Sequence, residues 1–179
     1  MKVFFLLLLT SFLITGIKAQ VPSNCSQLIV GKSTIWNSSY VTLSVYEKHR
    51  GAWKIVGNSW KGRLGRNGLA WGYGVHSPVK SSAPLKKEGD GRAPAGIFKI
   101  GGAYGYVTQI TRNPKLPYRR VTTRDLWVED RTSPHYNKHL VLDHTPKATW
   151  EKKGQMRQND HAHSLKLYIG HNDAILGGR

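Results

Sequence analysis

The stretch from Lys86 to Tyr106 constrains the fold most, because it combines charged residues, glycine and proline turns, and then an apolar pair. Gly89 and Gly91 flank Asp90, so the backbone on both sides can adopt positive φ angles, and the Asp90 side chain can bond its own backbone in an Asx turn. A proline then fixes φ and favours extended backbone before it. The pattern predicts a stiff loop that leads into a buried strand at Ile97-Phe98, and a loop this specific usually serves a site.

Alternating apolar and polar residues predict a mainly β fold. Near the N-terminus, three such segments, of which the second and third are joined by a polar turn at 48–51, predict a meander. One short helix is predicted over Trp150 to Arg157, with Thr149 as its N-cap. In the last strand, Leu165, Leu167 and Ile169 alternate with Lys166 and Tyr168. The predicted strands cover 27–30, 40–46, 52–56, 139–143 and 165–169.

The N-terminus has the features of a secretory signal peptide. Lys2 precedes an apolar run from Val3 to Ile17, and Ala19 supplies the small residue at which a signal peptidase would cut. The run is shorter than the ~20 apolar residues that span a bilayer, and a retained anchor is the second alternative. We therefore expect a signal peptide at 1–19, a single domain over 20–179 with no transmembrane anchor after cleavage, and export to the periplasm, cell envelope or extracellular space.

The charge of the chain limits the classes of binding partner, and its cysteine content limits the sources of stability. The chain has 27 Lys and Arg against 10 Asp and Glu, a formal net charge of +17, which attracts anionic polymers over long range. In an envelope the candidates are wall polymers, the carboxylates of peptidoglycan stem peptides and anionic lipids. No nucleic acid is expected, although such a partner is possible in principle. Cys25 is the only cysteine, so no disulfide can form within the chain, and we interpret it as a free thiol.

Several motifs occur in an order found in one enzyme family. The central string from Glu88 to Phe98 reads EGDGRAPAGIF, with GRNG at 65–68 before it and LPYR at 116–119, DLWVED at 125–130 and SPHYN at 133–137 after it. From about Leu28 onwards the chain resembles the secreted YkuD-type L,D-transpeptidases, which cross-link peptidoglycan. Each motif is weak alone, and their common order carries the resemblance. The resemblance implies a mainly β fold of mixed sheets with a short helix.

The resemblance also implies acyl transfer between stem peptides, which needs a cysteine thiolate, a histidine that activates it and backbone donors for the oxyanion. In the family these groups lie in a C-terminal segment with a histidine and then Ser-His-Gly-Cys or a close variant. This chain has no cysteine after Cys25, and Leu165 to Gly170 resembles the part of the family domain just before that segment. We therefore expect no catalytic residue in this chain, which would be either a fragment or a non-catalytic homologue, and His171 is assigned no catalysis.

Substrate-facing residues are expected in and after the central loop. No cofactor and no metal are expected for this chemistry. A rival function from a different class is a secreted cationic module that binds an anionic envelope polymer through Arg63, Arg66, Lys86, Lys87 and Arg92. The substrate-side candidates are Lys87, Glu88, Asp90, Arg92, Phe98, Tyr104 and Tyr106.

Two further patterns have simpler alternatives. The basic, glycine-rich passage from Trp60 to Trp71 could bind phosphate, but it lacks a Gly-Lys-Ser/Thr ending and a following helix, so a turn between strands is favoured. His161 and His163 would share a face of an extended segment and could reach one metal ion, with Asp160, His171 and Asp173 nearby. Two histidines without a fixed third ligand are common on polar loops.

Overall fold

The structure is a computed structural model that describes residues 21–76 and 82–172. The predicted signal peptide at 1–19 lies outside the described residues. The chain divides between Ile97 and Phe98 into two compact units, named here the N-unit and the C-unit. Within the described ranges, no helix is long and apolar enough to cross a membrane. The expectation of one L,D-transpeptidase-like domain over 20–179 stays a prediction.

The N-unit begins with the predicted meander. β1 (Gln27–Lys32), β2 (Tyr40–His49) and β3 (Ala52–Arg63) form an antiparallel sheet in that order. Two residues, Arg50 and Gly51, join β2 to β3 with φ angles of 47° and 82°, and positive φ at both positions is what a type I′ hairpin turn requires. The polar turn predicted at 48–51 is therefore shorter than expected, because this turn type needs only two residues.

A second sheet of the N-unit frames the central loop. β4 (Leu69–Trp71) pairs in parallel with β5 (Ala93–Ala95). Between β3 and β4 the chain makes a tight turn, in which the Gly68 amide donates to the Gly65 carbonyl at 2.9 Å. A Cβ at Gly68, where φ is 84°, would collide with the Trp36 carbonyl oxygen. The glycine-rich passage is thus a turn between strands, as favoured from the sequence.

The C-unit combines a mixed sheet, a two-stranded hairpin and one short helix. In the mixed sheet, the central strand pairs antiparallel with the last strand of the chain and parallel with the strand that follows it in sequence. The hairpin strands pair antiparallel. The elements are β6 (Ile100–Gly105), β7 (Tyr118–Arg120), β8 (Asp125–Trp127), β9 (His139–Val141), α1 (Thr149–Gly154) and β10 (Leu165–Ile169), with β6 central to the mixed sheet and β8 paired with β9.

The core of the C-unit is built around β8. Val121, Leu126 and Val128 are at most 1% exposed, and burying each such side chain contributes about 1.5–3 kcal/mol. Gly154 lets α1 approach β8 closely, because a Cβ there would lie 2.7 Å from the Trp127 carbonyl oxygen. The described residues therefore form a mainly β structure with mixed sheets and a short helix, which confirms the coarse prediction of fold class.

The prediction of a strand at Ile97-Phe98 is wrong. Both residues lie outside the strands, and β6 begins only at Ile100. Gly96, with a φ of 144°, turns the backbone between β5 and this pair. The extended segment of the loop is instead Ala93–Ala95, where the proline had indicated extended backbone.

The helix differs from its prediction at both ends. It runs from Thr149 to Gly154, and the residue at the N-cap position is Ala148. The carboxylate of Glu151 accepts hydrogen bonds from the backbone amides of Lys147 at 2.7 Å and Ala148 at 3.0 Å. A side chain from inside the helix thus bonds the two amides just before it, and Thr149 is the first residue of the helix instead of its N-cap.

β10 has the predicted bounds, but its apolar face is the more exposed one. Leu165, Leu167 and Ile169 are each more than two-fifths exposed, whereas Lys166 and Tyr168 are partly covered. The Lys166 ammonium donates to the Met156 carbonyl at 2.7 Å. Partial burial lowers the pKa of Lys166, which the nearby Asp160 opposes.

Candidate functional site: the central loop and a buried carboxylate

Asp90 organises the central loop through its own carboxylate. Its Oδ1 accepts hydrogen bonds from the Arg92 amide at 2.9 Å and the Lys86 ammonium at 2.7 Å, and its Oδ2 accepts from the Lys87 amide at 2.8 Å. The bond from Arg92, two residues on, is the Asx turn that the sequence predicts. Partial burial opposes ionisation, but the hydrogen bonds from Lys86, Lys87 and Arg92 outweigh it and hold the pKa of Asp90 below its usual range.

The glycines of the loop adopt the predicted conformation and bring two sequence motifs together. Gly89 and Gly91 have φ angles of 75° and 66°. The Asn67 amide donates to the Gly91 carbonyl at 3.0 Å, and the Asn67 side-chain amide donates to the Asp90 carbonyl at 2.8 Å. The GRNG motif at 65–68 therefore stabilises the EGDGR segment at 88–92 by hydrogen bonds, so the two strings belong to one folded loop region.

The basic residues around this loop fall into two groups. Arg92 donates to the Leu69 carbonyl at 2.8 Å and to the Asn37 side chain at 2.9 Å, and Lys86 is bonded to Asp90. These two cations hold the loop in place. Those that remain exposed for a ligand, out of the five proposed for anion binding, are Arg63, Arg66 and Lys87.

The aromatic candidates are packed within the C-unit. The Phe98 ring meets the His171 ring edge-on, with centroids 5.7 Å apart, and the Tyr104 ring lies 5.2 Å from that of His139. The Tyr106 hydroxyl accepts a hydrogen bond from the Gln158 amide at 3.0 Å. Packing thus accounts for all three rings. The other four substrate-side candidates, Lys87, Glu88, Asp90 and Arg92, belong to the N-unit, with Lys87 and Glu88 exposed.

Asp125 is the centre of a buried network that the sequence did not single out. Its side chain is fully buried, and it accepts hydrogen bonds from Arg119 Nε at 2.7 Å and from the Thr122 amide and hydroxyl at 2.8 and 2.7 Å. His139 Nε2 lies 2.8 Å from Asp125 Oδ1. Burial opposes ionisation, but the Thr122, Arg119 and His139 hydrogen bonds lower the pKa of Asp125 to about 2.

This network links β7, β8 and β9 through one carboxylate. The Asp125–His139 pair fixes the imidazole, and no hydrogen bond joins His139 Nδ1 to the described residues. The sequence feature that could have indicated part of this network is the Thr-x-x-Asp spacing of Thr122 and Asp125. This spacing is typical of a local side-chain cap, but it does not reveal the distant partners of Asp125.

The histidines proposed as metal ligands occupy a turn instead of an extended segment. The His163 amide and its Nδ1 lie 2.8 and 2.7 Å from Asp160 Oδ1, and the hydrogen bond from the His163 amide is the main cause of the lowered pKa of Asp160. Asp173 lies outside the described residues. Across 21–76 and 82–172, no group of three or more His, Cys, Asp or Glu could hold a metal ion.

Cys25 lies in the turn before β1. Its thiol is free, as interpreted from the sequence, and Sγ donates to the Gln27 carbonyl at 3.1 Å.

No protein-family model, curated protein or solved structure matches the chain. The likeness to L,D-transpeptidases therefore rests on the sequence motifs alone.

Proposed function

We propose that the protein is an exported, L,D-transpeptidase-like protein that binds peptidoglycan stem peptides or an anionic wall polymer, and that these 179 residues carry out no acyl transfer. The observation that supports this proposal is the joint folding of the GRNG and EGDGR motifs. Two strings quoted from separate parts of the sequence hydrogen-bond into one loop around Asp90. A shared structural role explains why both strings accompany each other in the sequence.

The loop is suited to binding because it is folded before any ligand arrives. The loop backbone is already held by Asp90, Asn67 and Arg92, so ligand binding does not include the entropic cost of ordering it. Arg66 and Lys87 stand exposed beside it. Their cationic heads complement the carboxylates of stem peptides.

The absence of acyl transfer follows from the chemistry of the thiol. The reaction breaks a peptide bond and joins its acyl group to sulfur, which needs a thiolate next to a base. Cys25 is the only thiol, and its Sγ bonds a backbone carbonyl in a turn. No histidine hydrogen-bonds it among the described residues.

A sedimentation assay with isolated peptidoglycan sacculi tests the binding. We expect the wild type to bind at low salt and to be released as salt rises, because exposed charges are screened over about 8 Å at physiological ionic strength. A variant with Arg66→Gln and Lys87→Gln should bind less than one with Lys152→Gln and Lys153→Gln, which loses the same charge from α1. Equal binding by the two variants would contradict a role for the loop.

An assay with a tetrapeptide donor tests the chemistry. We expect no transpeptidation and no acyl adduct by mass spectrometry, and Cys25→Ser should change neither result. Turnover of the donor by the wild type, lost in Cys25→Ser, would show that Cys25 is a nucleophile and that the non-catalytic assignment is wrong.

The cationic-module candidate is favoured by the exposure of Arg63, Arg66 and Lys87, since none of their side chains bonds the Asp90 carboxylate, which Lys87 contacts only through its backbone amide. Sacculi stripped of stem peptides by an amidase separate the two candidates. Loss of binding on stripping supports recognition of stem peptides. Undiminished binding supports a module that recognises the anionic polymer itself.

A further inference from the structure

One face of the β1–β3 sheet carries cations and aromatic rings together. Residues paired across antiparallel strands point to the same side, so the register defines this face. Tyr40 pairs with Arg63, Lys48 pairs with Trp53, and Thr42 pairs with Lys32 on one side and Lys61 on the other. We name Lys32, Tyr40, Lys48, Trp53, Lys61 and Arg63 the basic face.

The basic face holds positive charge without compensation from its own sheet. Glu47 is the one carboxylate in the three strands, all of whose residues are described, and it pairs with Gln27 and Lys54 on the opposite side. It also accepts a hydrogen bond from Gln27 at 2.8 Å. Lys32, Lys61 and Arg63 are exposed. The face therefore complements an anion.

Two of the cations are held in place by aromatic rings. The Arg63 guanidinium lies 4.3 Å from the centroid of the Tyr40 ring, and the Lys48 ammonium lies 5.1 Å from that of Trp53. Such cation–π contacts contribute about 0.5–1 kcal/mol at exposed sites. They reduce the side-chain freedom that would be lost when an anion binds, so the charges are positioned in advance.

The spacing of the cations fits a long ligand. Tyr40 and Lys48 are eight residues apart on β2, which corresponds to about 27 Å of extended strand. Arg63 lies at one end of this length, Lys48 at the other, and the row from Lys32 to Lys61 crosses between them. A small anion could not reach both ends of this length, whereas a linear polymer could contact all of these positions.

We infer that the basic face binds a linear polymer of sugar or polyol units that carries regularly spaced phosphodiester or carboxylate groups. Proteins that bind single-stranded nucleic acid offer open aromatic rings on which bases stack. Here the Tyr40 and Trp53 rings each already face a cation, so the contact offered is charge rather than stacking. The inference deepens the cationic-module candidate and does not depend on the L,D-transpeptidase resemblance.

Fluorescence anisotropy with labelled poly(glycerol phosphate), over a salt series, tests the inference. The variant with Lys32→Gln, Lys61→Gln and Arg63→Gln should bind about tenfold or more weakly at low salt, and its slope of log affinity against log salt should be shallower by about 2, at roughly 0.7 per lost contact on a flexible strand. The matched control, Lys54→Gln with Lys152→Gln and Lys153→Gln, removes the same charge from other surfaces. It should retain the wild-type slope.

Two further probes identify the ligand chemistry. Polygalacturonate in place of poly(glycerol phosphate) distinguishes carboxylate from phosphodiester recognition, and binding of either one supports the inference. Tighter binding of oligothymidylate at equal charge concentration would overturn it in favour of nucleic acid. An equal loss of affinity in the control variant would also overturn it, because binding would then follow net charge. The sacculus assay tests the loop proposal, which stands if the basic-face substitutions leave sacculus binding unchanged. The inference about the basic face is decided by the binding of the wild type to the labelled polymer.

Discussion

Asp90 and Asp125 both organise the residues around them by accepting hydrogen bonds, but they differ in their exposure to solvent. Asp90 has 18% of its side chain exposed and is held by groups within four residues of it, whereas Asp125 is fully buried and binds residues up to fourteen positions away. Each carboxylate is ionised by hydrogen bonds that outweigh the cost of burial. A local carboxylate shapes a loop, and a buried one joins separate strands.

The largest difference should appear when each carboxylate becomes an amide. We expect Asp125→Asn to lower the free energy of unfolding by about 3 kcal/mol, because Arg119, Thr122 and His139 lose a buried charged acceptor. Asp90→Asn should cost about 1 kcal/mol, since water can replace the lost bonds at a part-exposed site. Urea denaturation measures both. Equal losses would remove the distinction between the two sites.

Acid should destabilise the C-unit through Asp125. Its pKa is lowered from 3.8 to about 2 in the folded chain, so its contribution is complete above the unfolded pKa and is lost as pH falls from 3.8 through 2. Through proton linkage, the difference between the two pKa values corresponds to about 2 kcal/mol of folding stability. Asp125→Asn should remove this part of the acid dependence of stability, and an unchanged pH profile in the variant would assign it to other groups.

An effect smaller than that of Asp125 concerns the backbone of the Asp90 loop. Gly91→Val should lower stability by about 1–2 kcal/mol, because a φ of 66° is unfavourable for a side chain with a Cβ. Gly89→Val is the matched control: it has a similar φ, but nothing lies within 4 Å of an added Cβ, whereas a Cβ at Gly91 meets Asn67 and Arg66 at 3.0–3.2 Å. Thermal melting should therefore show the larger loss for Gly91→Val, and an unchanged melting temperature in that variant would contradict the backbone conformation.

The same contrast explains which features could be predicted. The Asx turn at Asp90 and the positive φ at Gly89 and Gly91 depend on neighbouring residues, and the sequence alone predicted them. The three-stranded meander and the bounds of β10 also follow from local alternation. The role of Asp125 requires Arg119 and His139 to meet across separate strands, and no local pattern specifies that meeting.

Tertiary contacts also decide features that the sequence pattern left open. Lys166 lies on the more covered face of β10 because its ammonium reaches the Met156 carbonyl and the Tyr106 ring, at 5.2 Å from the centroid. Alternation alone does not reveal which face is covered. Thr149 was expected as the N-cap from residue type, but it is the first residue of the helix, and Ala148 holds the N-cap position. For the candidate site, the sequence predicted the loop backbone but not which cations remain exposed.

The two-residue turn at Arg50 and Gly51 sets an order of events in folding. It lets β2 and β3 pair with the shortest possible loop, and hairpins of this kind form in about 1–10 μs. The parallel pairs, β4 with β5 and β6 with β7, must close longer connections before their contacts form, which slows their pairing. We expect the β2–β3 hairpin to be protected from amide hydrogen exchange early in refolding, before either parallel pair.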